Sequence, residues 1–438
     1  MSENNINVGI IGLGTVGSGV VNLIKKNHDE IYKRAGLNIE IKAVSARNKD
    51  LKRECDISQF TFYDNPLDLI ENENIDIVIE LIGGDTISKD IVIKAIQKKI
   101  HVITANKALI SIHGNDLSDL SYKNDVVISY EAAVAGSIPI IKIIRESLNA
   151  NKINWVSGII NGTTNYILTT MIEKGKDLDS ILEEAKKFGY AESDPSFDIG
   201  GIDAAHKLSI LASISFGIPL NFNSIYIEGI ENITLEDLKY SSELGYNIKH
   251  LAIAKKVKDG VQLRVHPALV PKSRLIANVN GVMNAIVVSS DAAGASLYYG
   301  QGAGGNATAS AVVSDIIDVS RKVILGKKID VPFLGYQKKL QNNEKILDIN
   351  DIEVSYYLRL RVINKSGVLA KITKILGSKN ISIDSILQKE KIYEDNTVPI
   401  VMLTHNIKED GIIKAINDLE KLEEVKDNIV KIRIETFN

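Results

Sequence analysis

Through its first 130 residues the chain alternates short apolar runs with longer stretches whose apolar positions recur every three or four residues. The runs "INVGII" (6–11), "IEIKAVSAR" (39–47), "IDIVIELIGG" (75–84) and "HVITANK" (101–107) are too short for helices and end in glycine or polar residues, so they read as buried parallel strands. Between them "GTVGSGVVNLIKK" (14–26) and "SKDIVIKAIQKKI" (88–100) carry the helical period. Strands alternating with helices predict an open, mostly parallel sheet covered on both faces. "VVISYEAAVAGSIPIIKIIRESL" (126–148) adds a strand, a loop of small residues and a helix opened by Pro139.

The pattern then changes. "INWVSGIINGTTNYILTTMIEKG" (153–175) reads as a strand, a polar turn and a helix with Thr163 or Thr164 as N-cap. "DLDSILEEAKKFG" (177–189) has apolar residues at 178, 181, 182, 185 and 188, an amphipathic helix stopped by Gly189. The acidic run that follows contains Pro195 and the Gly200-Gly201 pair, which make it a shaped loop and not a helix. "IDAAHKLSILASISFG" (202–217) resumes the helical period and is almost wholly apolar, the mark of a buried helix. "IKHLAIAKKVKDGVQLRVHPALVP" (248–271) is a hairpin turning at Lys-Asp-Gly. A second glycine loop, "YYGQGAGG" (298–305), opens a helix over 307–322 that rejoins the first domain. A polar linker (335–353) leads to strand, helix, strand, strand, helix, strand, a βαββαβ order, in the last 85 or so residues.

Bulk composition changes this picture little. At 438 residues, two or three domains are expected, and 45% hydrophobic with 24% charged residues is ordinary for a globular protein. A net charge of −3 gives no reason to expect nucleic acid or an anionic membrane as partner. Cys55 is the single cysteine, so no internal disulfide forms and a reducing cytoplasm suits the chain. The polar start "MSENN" lacks the layout of a signal peptide, and no apolar run reaches the roughly 20 residues of a membrane span.

Candidate chemistry lies at three places. Gly12-Leu13-Gly14-Thr15-Val16-Gly17 is G-x-G-x-x-G between a strand and a helix, the context in which it binds a dinucleotide pyrophosphate at a helix N-terminus. The second strand ends at Arg47, where an acid would favour NAD; an arginine suits a 2′-phosphate and favours NADP. Thr104, Asn106 and Lys107 end another strand, so topology brings Lys107 toward the cofactor. Secondly, the loop after Glu131 exposes carbonyls that, with this acid, suit a hard cation. Thirdly, Asp203 and Lys207 stand four apart on one helix face. A lysine on a buried helix has its pKa lowered toward the range useful for proton transfer, and a neighbouring carboxylate orients it. Glu192 and Asp198 suit a substrate bearing an ammonium group.

The run Ala185, Gly189, Tyr190, Ala191, Asp194-Pro195, Asp198, Gly201, Asp203, Lys207 resembles the signature of homoserine dehydrogenases without departure. "GLGTVGSGV", "ELIGG", "TANK", "EAAVAGSIPI" and "GIINGTTNYIL" are similar to that family in the same order, over roughly residues 6–325. The resemblance implies NAD(P)-dependent interconversion of L-aspartate 4-semialdehyde and L-homoserine, and the following roles. Lys207 would be the general acid, Lys107 would assist beside nicotinamide and substrate, Asp203 would position Lys207 or substrate, and Glu192 with Asp198 would take the substrate ammonium. Carbonyls of Val134, Gly136 and Ile138 beside Glu131 would hold a structural sodium ion. Gly302 and Gly304 would close over the nicotinamide half. The C-terminal module resembles an ACT domain, with "NKSGVLAKI" as its ligand loop and threonine as the expected effector.

The expected architecture is α/β: a Rossmann domain over 1–130 plus about 305–325, an α+β substrate and dimerisation domain over 131–304, a linker over 326–350, and an ACT-like domain over 351–438. A homodimer or homotetramer is expected, as the family's domains commonly pair. Two other readings compete: another Rossmann reductase of a small oxo-acid, and a non-catalytic amino-acid sensor. An oxidising semialdehyde dehydrogenase is disfavoured, because Cys55 in polar "KRECDISQ" is a poor nucleophile.

Overall fold

In the computed structural model, which describes residues 5–187, 194–326, 331–389 and 393–437, the chain divides into two compact units. The first comprises residues 1–162, 203–225 and 282–344; the second comprises 163–202, 226–281 and 345–438.

Six strands form the sheet of the first unit, in the order Thr61–Tyr63, Asn38–Ser45, Asn5–Ile11, Ile77–Glu80, His101–Thr104, Ile128–Ser129. Every pairing in it is parallel. The chain steps outward from Asn5–Ile11 in one direction and then in the other, so a crevice opens at the carboxyl ends where the order reverses. The expected strand 75–84 is shorter because Gly83 and Gly84 take positive φ and turn the chain out of the sheet. The helix Thr15–Lys26 packs on one face, and Gly305–Ile324 packs on it in turn. Val8, Ile10, Ile79, Val20, Ala309, Val312 and Ile316 share one core. After Pro139 a single α turn (Ile140–Lys142) loosens into a π turn (Ile143–Ser147), so the helix expected there is not regular. A small antiparallel sheet joins Met283–Ser290 to Ile153–Ile159 and Gly294–Gln301. The polar stretch after residue 330 lies along this unit as far as Glu344. There the Tyr336 hydroxyl donates to the Ser215 carbonyl at 3.0 Å and the Asn342 amide to that of Gly217 at 2.8 Å.

The second unit is built on the hairpin Tyr246–Val257 and Gly260–Pro271, which turns at Lys258-Asp259 as expected. Gly260–Pro271 pairs in parallel with the chain's last strand, Val430–Ile434. That strand pairs with Glu353–Ile363, then come Thr397–Thr404 and Ile383–Gln388, giving the βαββαβ module. Its helices Val368–Ser378 and Glu409–Leu419 cover one face, where Tyr356, Leu358 and Leu360 meet Ile372 and Ile412. Alternate residues Tyr357, Val401, Ile432 and Ile434 face the other way and meet Ile167, Ile181 and Leu238. A strand buried on both faces explains the near-continuous apolar runs of this module. The helix Gly162–Lys174 begins before Thr163 and Thr164, so neither is its N-cap as expected; both lie in its first turn. Within the acidic run, Ser196–Ile199 forms one helical turn that the loop reading did not include. Gly189, expected to stop the preceding helix, lies outside the described residues.

Candidate active site

Local geometry at the first glycine turn follows from what a side chain would strike. Gly12 has φ +99°, and its amide donates to the Ser45 carbonyl at 2.9 Å. A Cβ on Gly17 would stand 2.0 Å from the Gly12 carbonyl oxygen, so only glycine lets the helix begin this close to the strand. Gly14 and Thr15 are exposed at the helix start, while Leu13 is buried beneath and Val16 half-buried. The second glycine loop arrives here too. Gly304 caps the helix Gly305–Ile324, and a Cβ on Gly305 would lie 2.9 Å from Thr15 Cγ2. Two helix N-termini thus converge, each with unsatisfied N–H groups and a partial positive charge, a place suited to a pyrophosphate.

Beyond the fifth strand of this sheet, Asn106 caps the helix Lys107–Asn124 through its side chain and its amide group also donates to the Gly84 carbonyl. Lys107 therefore occupies a helix N-terminus, where the macrodipole disfavours a cation. Its compensation is Asp203: Lys107 Nζ lies 2.9 Å from Asp203 Oδ1. The other oxygen, Oδ2, accepts from Lys207 Nζ at 2.7 Å and from Asn161 Nδ2 at 2.8 Å. Lys207 Nζ also donates to the Ile160 carbonyl at 2.8 Å. The side chains of Asp203 and Lys207 are 4% and 11% exposed, against 35% for Lys107. Burial alone would raise the Asp203 carboxyl. The Lys207 and Lys107 ammonium groups, with the hydrogen bonds it accepts, outweigh that and hold it well below the usual carboxylate range. The result is an ionised carboxylate gripping two amines, one of them withdrawn from water. Such a pair can deliver a proton in a fixed direction.

The other expected residues fall at several places. Arg47 is exposed just beyond the second strand. Thr104 is fully buried; its hydroxyl donates to Glu80 Oε2 at 2.7 Å and accepts from the Asn106 amide, so it braces this loop from beneath. Glu131 is buried, and its carboxylate accepts from the amides of Ile141 and Lys142 at 2.9 and 2.8 Å, serving the start of the next helical turn. Val134 and Ile138 are buried, with Ala135 and Gly136 at positive φ between them. A Cβ on Gly136 would meet the Gly302 carbonyl at 2.7 Å, and Ser137 donates to Gln301 O at 3.0 Å. The small-residue loop and the second glycine loop therefore touch. Asp198 sits in the turn Ser196–Ile199 of the second unit. Glu192 lies outside the described residues.

Three contributors escaped the sequence reading: Asn161 and the Ile160 carbonyl, which grip Asp203 and Lys207, and Glu80, whose Oε1 accepts from Ser88 Oγ and the Ile82 amide. The signal for Glu80 was present: a carboxylate ending an all-apolar strand is buried and demands partners.

A doubly wound sheet, paired helix N-termini and a carboxylate-held amine couple define a dinucleotide-dependent oxidoreductase. Family models described as "Homoserine dehydrogenase, NAD binding domain", "Homoserine dehydrogenase" and "ACT domain" match residues 12–131, 139–317 and 356–424. The chain belongs to the homoserine dehydrogenase family. It is 49% identical to a homoserine dehydrogenase of Pseudomonas aeruginosa over 433 residues, 99% of each chain. Its structure is similar to that of a homoserine dehydrogenase from Thiobacillus denitrificans, with a TM-score of 0.94 at 47% identity over 99% of both chains. A hyperthermophilic archaeal homoserine dehydrogenase in complex with NADPH is similar at a TM-score of 0.62 and 29% identity, over 74% of this chain and 99% of that one.

Proposed function

We propose that the chain reduces L-aspartate 4-semialdehyde to L-homoserine, with Lys207 as proton donor and NADPH as preferred cofactor. The observation that carries this is the placement of Lys207 against Asp203 at 2.7 Å and against the Ile160 carbonyl, in a chain of this family. Gly12, Leu13, Gly14, Thr15, Val16, Gly17, Gly302 and Gly304 would hold the dinucleotide, Thr104 would support its nicotinamide side, and Arg47 would face the 2′-phosphate. The cofactor supplies the hydride. The protein's residues supply the rest. Lys207 gives its proton to the aldehyde oxygen as that oxygen becomes an alkoxide, and the neutral amine left behind takes up a solvent proton to become ammonium again. Lys107 offsets the developing negative charge. Asp203 pairs with both amines and aims them. Glu192 and Asp198 bind the substrate ammonium. No redox cysteine is required, because the aldehyde needs no covalent activation.

A structural sodium ion fits the loop after Glu131. By the family resemblance its donors would be the carbonyls of Val134, Gly136 and Ile138 beside Glu131, the oxygen set a hard cation takes. Left-handed turns at Ala135 and Gly136 and the buried carboxyl of Glu131 support that reading. The ACT module supports inhibition by an amino acid, threonine being the chemical descendant of the product. We further propose a homodimer or homotetramer working in the cytoplasm, without nucleic-acid or membrane partners; no described helix is long and apolar enough to cross a membrane.

The test is loss of NADPH absorbance on adding aspartate semialdehyde, with and without threonine. No turnover overturns the activity. Full turnover by Lys207→Ala overturns its role. Undiminished turnover at high threonine overturns the regulation.

A further inference from the structure

Within the second unit, the turn Pro195–Gly201 carries Asp198 and leads directly into the helix that begins at Ile202. Within it the amides of Asp198 and Ile199 donate to Pro195 O, that of Gly200 to Ser196 O at 2.9 Å and that of Gly201 to Asp198 O at 3.0 Å. Its seat is the segment 227–230. The Ile230 amide donates to the Ile199 carbonyl at 2.9 Å. A Cβ on Gly229 would stand 2.4 Å from that same carbonyl. Ile227, His250 and Val265 come within 3.1–3.2 Å of where a Gly201 Cβ would be.

Glu228 stands in the middle of this seat. Its amide donates to Val265 O at 2.8 Å, and its carbonyl accepts from His250 Nε2 at 3.0 Å, which fixes the proton on that ring nitrogen. Its carboxylate reaches the other way. Oε2 accepts from the Tyr226 hydroxyl at 2.8 Å and from Arg433 Nη1 at 2.7 Å. Arg433, on the last strand of the ACT module, is 1% exposed. It also grips Glu409 with Nε and Nη2 at 2.8 and 2.6 Å, and the Tyr356 hydroxyl donates to Glu409 at 2.6 Å. Charge-assisted bonds thus run without a break from two strands and a helix of the ACT module into the seat of the Asp198 turn.

We propose that Glu228 is a positioning residue: through Arg433 it lets the ACT module set where the Asp198 turn sits, and so how well the site takes substrate. The proposal rests on reading Asp198 as a substrate-side residue. What supports it is that one residue has its carboxylate held by Arg433 and its main chain within the segment that seats this turn.

The test uses the full chain. Glu228→Ala should raise the KM for aspartate semialdehyde about five- to tenfold, with kcat and the KM for NADPH unchanged within about twofold. Glu228→Gln, which keeps an acceptor for Arg433, should fall between. Hydrogen exchange at the amides of 198–201 should quicken about tenfold in Glu228→Ala, while amides of Thr397–Thr404 keep wild-type rates. Unchanged exchange at 198–201, or equal acceleration throughout the unit, overturns the coupling. Local acceleration with an unchanged KM upholds the coupling and overturns the reading of Asp198.

Discussion

Lys207 lies one helical turn beyond Asp203, with its ammonium 2.7 Å from the carboxylate and only 11% of its side chain exposed. An exposed pair at this spacing contributes a few tenths of a kcal/mol and would be incidental. A pair withdrawn from water is costly to build unless its geometry serves something. We expect Lys207→Ala to lower kcat about 10²–10⁴-fold, the usual contribution of a positioned proton donor, with NADPH affinity unchanged. Lys207→Arg should recover little, because a planar guanidinium does not reproduce a point ammonium between a carboxylate and a carbonyl. Stopped-flow measurement of the hydride step would check both.

Asp203→Asn separates charge from shape. Asparagine retains an acceptor for Asn161 but no longer offsets two amines. We expect kcat to fall about 10²-fold. Its effect on acid stability has a definite sign. The Asp203 carboxyl is held below its usual value in the folded chain. Its stabilisation is therefore full above the unfolded value near pH 4 and drains away as pH falls toward the folded one. Between about pH 4 and pH 2 the wild-type melting temperature should drop more steeply than that of the variant; parallel curves would contradict the ionised, doubly paired carboxylate.

Gly17→Ala tests the cofactor turn. The new methyl would be 2.0 Å from the Gly12 carbonyl, so strand and helix must separate. Overpacking of this kind costs about 1–3 kcal/mol. NADPH fluorescence titration should show at least about a tenfold loss of affinity, in the range of one lost charge-assisted contact, and the melting temperature should fall with it.

Where local chemistry decided the structure, the sequence was readable. The glycine turn, the hairpin at Lys258-Asp259 and the burial of the helix from Ile202 follow from period and turn residues alone. Asp203 and Lys207 were paired by spacing. What spacing could not supply was Lys107, brought to the same carboxylate from a different element, or Asn161 and the Ile160 carbonyl, which close the grip from a strand end. The N-cap at Thr163 or Thr164 failed because the helix starts at Gly162, and the Asn161 side chain binds Asp203. Tertiary demand overrode a local preference there. The polar stretch after residue 330 misleads in the same way: its backbone and tyrosine bonds to Ser215 and Gly217 are invisible to composition.

The proposed preference for NADPH rests on Arg47. It stands exposed where the ribose end of a dinucleotide meets a Rossmann sheet. Losing a charge-assisted bond to a phosphate costs about 1.5–3 kcal/mol. Arg47→Ser should therefore lower kcat/KM for NADPH about 10- to 100-fold and leave that for NADH nearly unchanged. Equal loss with both cofactors would remove Arg47 from the 2′-phosphate and favour NAD.

Removing the C-terminal module is the obvious way to ask whether it regulates, and the second unit argues against it. The strand Val430–Ile434 completes the sheet of the hairpin, and Tyr357, Val401, Ile432 and Ile434 fill the same core as Ile167, Ile181 and Leu238. Glu435 accepts from Arg264 at 2.7 Å, where the Arg264 side chain is 1% exposed. Ending the chain at Glu344 would strip this core and take away the Glu435 carboxylate that Arg264 donates to. We expect the truncated chain to melt well below the full one or to aggregate, as measured by circular dichroism and light scattering. Loss of threonine inhibition in such a fragment would then report unfolding. Full-length variants in the loop Asn364–Gly367, which leave the core intact, are the appropriate test of effector binding. A truncated chain that stays folded and fully active would show that the module is separable after all.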